Sequence, residues 1–237
     1  MLTETLFQHG TLAALVPGLF TGTITAGELL KHGDTGIGTL AGLDGELIID
    51  AGTIYQVNHE GKVRVVAPDE TIPFGNVHFA NFGPAQTLKA ASYADLQAAV
   101  RAHLRSLNLF AAIRLTGTFK HVTTRAVRKQ TVPYPTLVAT ADDQSVFNAE
   151  NVMGTLSGYF SPALYAGAAA PGFHLHFLSA DHQFGGHVLA ASGVTGALQL
   201  QTFTNFELHL PADDAAFRDQ DFTSPQIVAD IERQNIN

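Results

Sequence analysis

The sequence predicts an α/β protein, α+β-like in layout: a mixed N-terminal β-sheet with a packed helix, then a β-rich C-terminal part carrying a His-x-His hairpin. Three observations predict it. Short β-prone runs separated by glycine turns fill the first third, among them "GTL", "GELIID", "GTIYQV" and "GKVRVVA". One stretch, "SYADLQAAVRAHLRSLN", repeats its apolar residues at helical spacing. From residue 151 onward charges thin out, and Gly, Ala and β-formers dominate.

Taken in order, "TITAGELLKHG" opens with Thr25, has Glu28 three places later and stops at Gly33, the pattern of a capping box on a short helix. The glycine-punctuated runs through "GKVRVVA" then read as a meander with turns at Asp44-Gly45 and Ala51-Gly52. "PDETIPFGNVHFANFGP" is turn-rich and holds one more strand. In the main helix Ser92 is the cap, Asp95 sits in the first turn, and Leu96, Ala99, Val100, Leu104 and Leu107 share a face that should pack on a sheet. Asn108 ends it. "FAAIRLTGTFKHVTTRAV" resumes strand character around an expected Thr116-Gly117 turn and embeds Arg114 and Arg125, and Pro133 and Pro135 close the run. "TLVATADD" reads as one or two helical turns. "VMGTLSGYFSP", "GFHLHFLSA", "GGHVLAASG" and "VTGALQLQTFTNFELHLP" give four or more antiparallel strands. The polar tail after residue 211 ends in a helix. The expected division is 1–135 for the mixed-sheet part and 136–237 for the β-rich, metal-binding part with its tail.

Composition narrows the function. Of 237 residues 46% are apolar, ample for a buried core, and only 14% are charged, with a net charge of -8. Without a Lys/Arg run nothing suggests a phosphate-neutralising face, so nucleic acid is not an expected partner. The absence of cysteine removes disulfides, thiolate metal knots and a thiol nucleophile, leaving any metal to His and carboxylate. The opening "MLTETLFQHGTLAALVPGLF" has an acidic and no basic residue before its apolar run, the reverse of a secretory leader. No apolar run approaches the roughly twenty residues of a membrane span. The expectation is a soluble, cytoplasmic protein with no membrane partner.

Four of the eleven histidines fall in "GFHLHFLSADHQFGGH". Residues two apart on a strand point the same way, so His174 and His176 project together, with Phe173, Leu175 and Phe177 opposite. After the "SADHQFGG" turn the return strand brings back His187, and Gly185 and Gly186 permit a close approach of the backbones. Three imidazoles from one hairpin leave a fourth position open, the pattern of a catalytic rather than a structural zinc site. The plainer alternative is a set of hydrogen-bonded histidines on a half-exposed sheet. The metal is favoured because burying several imidazoles without a ligand is costly. His182 belongs to the polar turn, and the remaining histidines get no role from spacing. A His-x-His also opens the cupin metal site, but the ligating Glu that follows there is missing from "HLHFLSADHQF".

Together with "GIGTLAGLDGELIIDAGTIYQV", "ETIPFGNVHF" and "AIRLTGTFKHVTTRAVRKQTVPYP", this stretch resembles the α-acetolactate decarboxylase family, in the family's order and over about residues 6 to 210. The resemblance implies a two-part α/β fold paired into homodimers through the N-terminal sheet. It also implies zinc-dependent decarboxylation of 2-acetolactate, a 2-hydroxy-3-keto acid, to acetoin and CO2. By that resemblance the zinc ligands fall on His174, His176 and His187, the active-site Glu on Glu46, a substrate-facing Thr on Thr39 and a substrate-facing Arg on Arg125. A further Glu comes from the family's tail, where Glu232 is the only candidate at the right distance from the end.

The residues suit that chemistry. Losing CO2 from a β-keto acid pushes an electron pair toward the ketone oxygen, and a zinc ion with open positions can stabilise the resulting enediolate. An arginine can hold the departing carboxylate bidentately and in line, and a carboxylic acid can deliver the proton to one face. Read alone, Glu46 is a turn-adjacent carboxylate, Arg125 an exposed strand residue and Thr39 an ordinary strand threonine. Arg114, in the more apolar "AAIRLTG", competes with Arg125 but would need a partner for a buried charge. Two other functions share the histidine hairpin: a non-catalytic metal-binding module and a zinc hydrolase with Glu46 as general base.

Overall fold

The structure, a computed structural model, describes residues 4–140 and 144–234. The first half contributes strands β1 (Thr5–His9), β2 (Ile24–Thr25), β3 (Thr35–Leu40), β4 (Asp44–Asp50), β5 (Thr53–Val57), β6 (Val63–Val65), β7 (Thr71–Ile72), β8 (Phe74–His78) and β9 (Gln86–Ala90), with helices α1 (Leu12–Leu15), α2 (Ala26–Leu29) and α3 (Tyr93–His103). There follow β10 (Ala111–Val127), α4 (Leu137–Thr140), β11 (Gln144–Ser161), β12 (Gly172–Ser179), β13 (Gly185–Ser192), β14 (Val194–Thr202), β15 (Asn205–His209), α5 (Ala215–Asp219) and α6 (Pro225–Gln234). Sheets dominate, as the sequence predicts. Among the described residues no helix is long and apolar enough to cross a membrane.

The first sheet runs β15-β1-β8-β3-β4-β5-β6 and is mixed, because β15 joins β1 in parallel while the other neighbours are antiparallel. Alternation along β4 sorts its side chains. Leu47 and Ile49 join the core with Phe7, Leu29 and Val77, while Ile48 packs with Val57 and Leu178 toward the second sheet. Glu46 shares the face of Ile48, and is thereby aimed at the layer between the sheets.

The second sheet runs β11-β12-β13-β10-β14-β9, and β10 also pairs with β11, so β10 to β13 close into a ring. Closure leaves those four strands no free edge between them. Phe119, Val122, Leu156, Leu175, Phe177 and Val188 pack in one core with Leu96 and Val100 of α3.

Several local expectations change. Thr116-Gly117 is not a turn: β10 runs unbroken for 17 residues, and Gly117 lies opposite Gly154 on one side and Gly196 on the other. A Cβ on Gly117 would stand 2.2 Å from the Thr195 carbonyl oxygen, so the glycine serves close strand approach rather than chain reversal. Helix α3 has its Ser92–Asp95 capping box but stops at His103, with Leu104 already extended and Leu107 exposed. At α2 only half of the expected box forms: Thr25 accepts from the Glu28 amide, while the Glu28 carboxylate pairs with Lys31. Sheet membership changes after β8, and the chain returns to the first sheet with β15. Arg125 therefore stands in the same sheet as the histidine hairpin.

Candidate metal centre

Strands β12 and β13 pair antiparallel with His176 directly opposite His187. The apolar side of β12 supplies the reason for its orientation, because Leu175 and Phe177 are held in the ring's core, which turns His174 and His176 outward toward the first sheet. Gly185 and Gly186 make the approach possible: a Cβ on Gly185 would lie 2.5 Å from the Phe177 carbonyl oxygen, and one on Gly186 2.6 Å from that of Arg125. The Thr124 hydroxyl donates to the Gly185 carbonyl at 2.7 Å, beside the bulge at Thr123/Thr124, and ties β10 to the start of β13.

One nitrogen from each of His174, His176 and His187 can be chosen so that all lie within 4.8 Å of one another. The Nε2 atoms of His174 and His176 are 3.3 Å apart. Ligands at zinc–nitrogen distances of ~2.05 Å on a tetrahedron are themselves separated by about 3.3 Å, so this pair is already spaced as a tetrahedral edge. His176, fully buried, donates from Nδ1 to the Leu47 carbonyl at 2.8 Å, which fixes its tautomer and leaves the Nε2 lone pair free. Burial pushes the pKa of His174 down to about 4, helped by the Arg125 charge. It pushes His176 and His187 well below the usual imidazole value, with the neighbouring histidines and Arg125 adding to the effect. All three are neutral at pH 7, the form that binds a metal. The donor set therefore fits a divalent ion of the zinc type.

Glu46 crosses from β4 to place Oε2 3.4 Å from His176 Nε2. Burial raises its pKa to about 7, against the pull of Arg125, so near neutrality it can both hold and release a proton. Arg125 stands directly opposite His187 on β10. Its Nη1 donates to Gln144 Oε1 at 2.8 Å, while its buried Nε has no hydrogen-bond partner among the described residues.

Thr39 is buried, and its hydroxyl donates to the Gly45 carbonyl at 2.8 Å, so it braces the turn that precedes Glu46. Arg114, the competing arginine, lies 3.4 Å from Asp50 with both side chains partly exposed, and thus has the partner its strand demanded. His182 is exposed, its ring against Tyr55. Glu232 falls within α6, but its side chain lies outside the described residues. Three contributors carry no signal in the sequence: the Leu47 carbonyl, Thr124 and Gln144. The first is backbone, and the other two become neighbours of the site only once β10 has paired with β13 and β11.

The profile of the alpha-acetolactate decarboxylase family matches residues 6–224. The alpha-acetolactate decarboxylase of Brevibacillus brevis is 38% identical over 233 residues, covering 97% of this chain and 82% of that protein. The one from Streptococcus thermophilus is 35% identical over 231 residues, 95% and 96% of the two chains. Among solved structures, alpha-acetolactate decarboxylase from Bacillus subtilis strain 168 superposes with a TM-score of 0.89 at 35% identity, over 98% of this chain and 99% of that one. A Staphylococcus aureus protein of unknown function, described as similar to alpha-acetolactate decarboxylase, gives 0.92 at 33% identity over 97% and 99%.

Proposed function

The chain belongs to the alpha-acetolactate decarboxylase family and is a carboxy-lyase for a small molecule, and from that premise we propose that it converts 2-acetolactate to acetoin and CO2 with zinc held by His174, His176 and His187. The observation that carries the reading is the meeting of three neutral imidazoles opposite a buried carboxyl, with an arginine on the adjoining strand. Held there by the three histidines, a zinc ion would supply a Lewis acid for the ketone oxygen, where negative charge grows as CO2 departs.

Everything else is work for the chain. Arg125 presents its unpartnered Nε edge to the substrate carboxylate and holds it so that the breaking bond stays aligned with the carbonyl π-system. Glu46, with a pKa near 7, hands a proton to the carbon left electron-rich by the loss of CO2, on the face where it stands, which makes the product chiral. It is regenerated by one proton from solvent per turnover. Thr39 acts indirectly, by fixing the Gly45 carbonyl next to Glu46. Glu232 joins as a second carboxyl from the tail. The same reading makes the enzyme a cytoplasmic homodimer without nucleic-acid or membrane partners.

The test is acetoin formation from 2-acetolactate by purified protein, run beside metal analysis. Activity lost on chelation and restored by zinc is expected. Full turnover after exhaustive chelation would remove the metal from the mechanism, and absence of acetoin with zinc bound would leave a metal-binding module or a zinc hydrolase.

A further inference from the structure

Among the described residues, the one side chain that holds the Arg125 guanidinium is neutral. Arg125 lies opposite Val146 in the β10–β11 ladder, and Gln144 lies opposite Val127, two residues further along the same face. Such diagonal neighbours sit ~7–8 Å apart at the backbone, within reach of long side chains. Gln144 Oε1 accepts from Nη1, the terminal nitrogen on the Cδ side of the guanidinium. That leaves the Nε/Nη2 edge, the flat two-donor fork of a guanidinium, with no hydrogen bond among the described residues. An amide oxygen can orient this group without cancelling its charge. A carboxylate in the same place would pair with it and spend the charge before substrate arrives.

We propose that Gln144 is a positioning residue for the decarboxylation: it clamps one arm of Arg125 through a neutral acceptor, so that the free Nε/Nη2 edge meets the substrate carboxylate oriented and fully charged. This rests on the reading that Arg125 binds that carboxylate. Arg125 stands directly opposite His187 in the β10–β13 ladder, so the two side chains share one face of the sheet, and its Nε is buried: the guanidinium turns toward the site.

The experiment compares Gln144→Glu, Gln144→Ala and Arg125→Gln with the parent zinc-loaded enzyme, reading KM and kcat for 2-acetolactate, the inhibition constant of acetoin, and zinc content. Acetoin keeps two of the substrate's oxygens but lacks the carboxylate, so it reports on the site without the group that Arg125 would hold. Gln144→Glu should raise KM on the order of tenfold, the scale of one charge-assisted hydrogen bond, while acetoin inhibition and zinc content stay as in the parent. Gln144→Ala, which frees the guanidinium but keeps its charge, should lower kcat several-fold and raise KM less than Gln144→Glu does. Parent-like KM in Gln144→Glu would overturn the proposal, and so would equal weakening of acetolactate and acetoin, the mark of a mere packing role. Should Arg125→Gln leave KM unchanged, the carboxylate reading of Arg125 fails on its own, whatever the Gln144 variants do.

Discussion

At the scale of single residues, roles divide between those that would touch the metal and those that act through charge or a proton. His176→Ala removes the imidazole that is both buried and fixed by the Leu47 carbonyl, so zinc and acetoin formation should be lost together; retained turnover in that variant would move the site elsewhere. Glu46→Gln keeps the shape of the side chain but cannot carry the proton, and should retain zinc while losing on the order of 10²-fold in kcat. Full activity there would assign the proton to another group. Arg125→Lys keeps a positive charge without the planar fork, and kcat/KM should fall about tenfold or more. The histidines were legible in the sequence because strand alternation and a short turn suffice to bring them together. The placement of Glu46 and Arg125 beside them was expected only through family resemblance, since "DGEL" and "TTRAV" look like any turn and any strand. The contact of Gln144 with Arg125 could not be found at all, because it depends on a register between strands whose pairing no local pattern encodes.

At the scale of elements, the hairpin works because β12 and β13 approach closely at glycine. Gly185→Ala would push a methyl group into the Phe177 carbonyl, spread the pair and carry His187 away from His176. Zinc affinity should weaken markedly, measured by competition with a chelator, with the far-UV circular dichroism unchanged. Unaltered affinity would mean that the hairpin has slack the geometry does not suggest. Helix α3 gives a stability counterpart: Ser92→Ala removes a complete capping box and should cost about 1 kcal/mol in denaturant unfolding, with no effect on kcat. Ser92 as cap and Asp95 in the first turn were readable locally, whereas their reciprocal pairing into a box is seen only in the structure. The longest strands were less so. β10 pairs with three different strands along its length, and a glycine that permits this crowding reads locally as a turn. Strands β1 and β9 carry no strand signal of their own, because "TLFQH" and "QTLKA" are short and owe their conformation to neighbours far away in the chain.

At the scale of the whole molecule, the site is a product of two sheets facing each other: Glu46 comes from one, the histidines and Arg125 from the other. Sheet-rich character was visible from the glycine-punctuated runs, whereas the return of β15 to the first sheet, parallel to β1, was not, because parallel pairing between distant segments leaves no periodic trace. The same packing buries histidines outside the hairpin. His9 contacts His209 Nδ1 at 2.9 Å and Thr23 Oγ1 at 2.7 Å, and His78 contacts the Tyr159 hydroxyl at 2.8 Å. Burial lowers both pKa values to about 4, with His209 adding to the effect at His9 and Asp34 opposing it at His78. Well above pH 6.5 these rings are neutral whether the chain is folded or not. Below it the unfolded chain takes up protons that the folded one refuses until about pH 4, so stability is lost across that window, by roughly 3 kcal/mol per ring. Denaturant titrations between pH 7.5 and 4 should show the decline, and His9→Gln should flatten part of it. An equal slope in the variant would place the acid sensitivity elsewhere.

The measurement closest to the central claim is anomalous X-ray scattering at the zinc absorption edge from crystals of the protein grown with zinc. One strong peak is expected about 2.0–2.1 Å from a nitrogen of each of His174, His176 and His187, on the side of the hairpin that faces Glu46. A fully occupied ion bound elsewhere, with those three rings left without metal, would contradict the account.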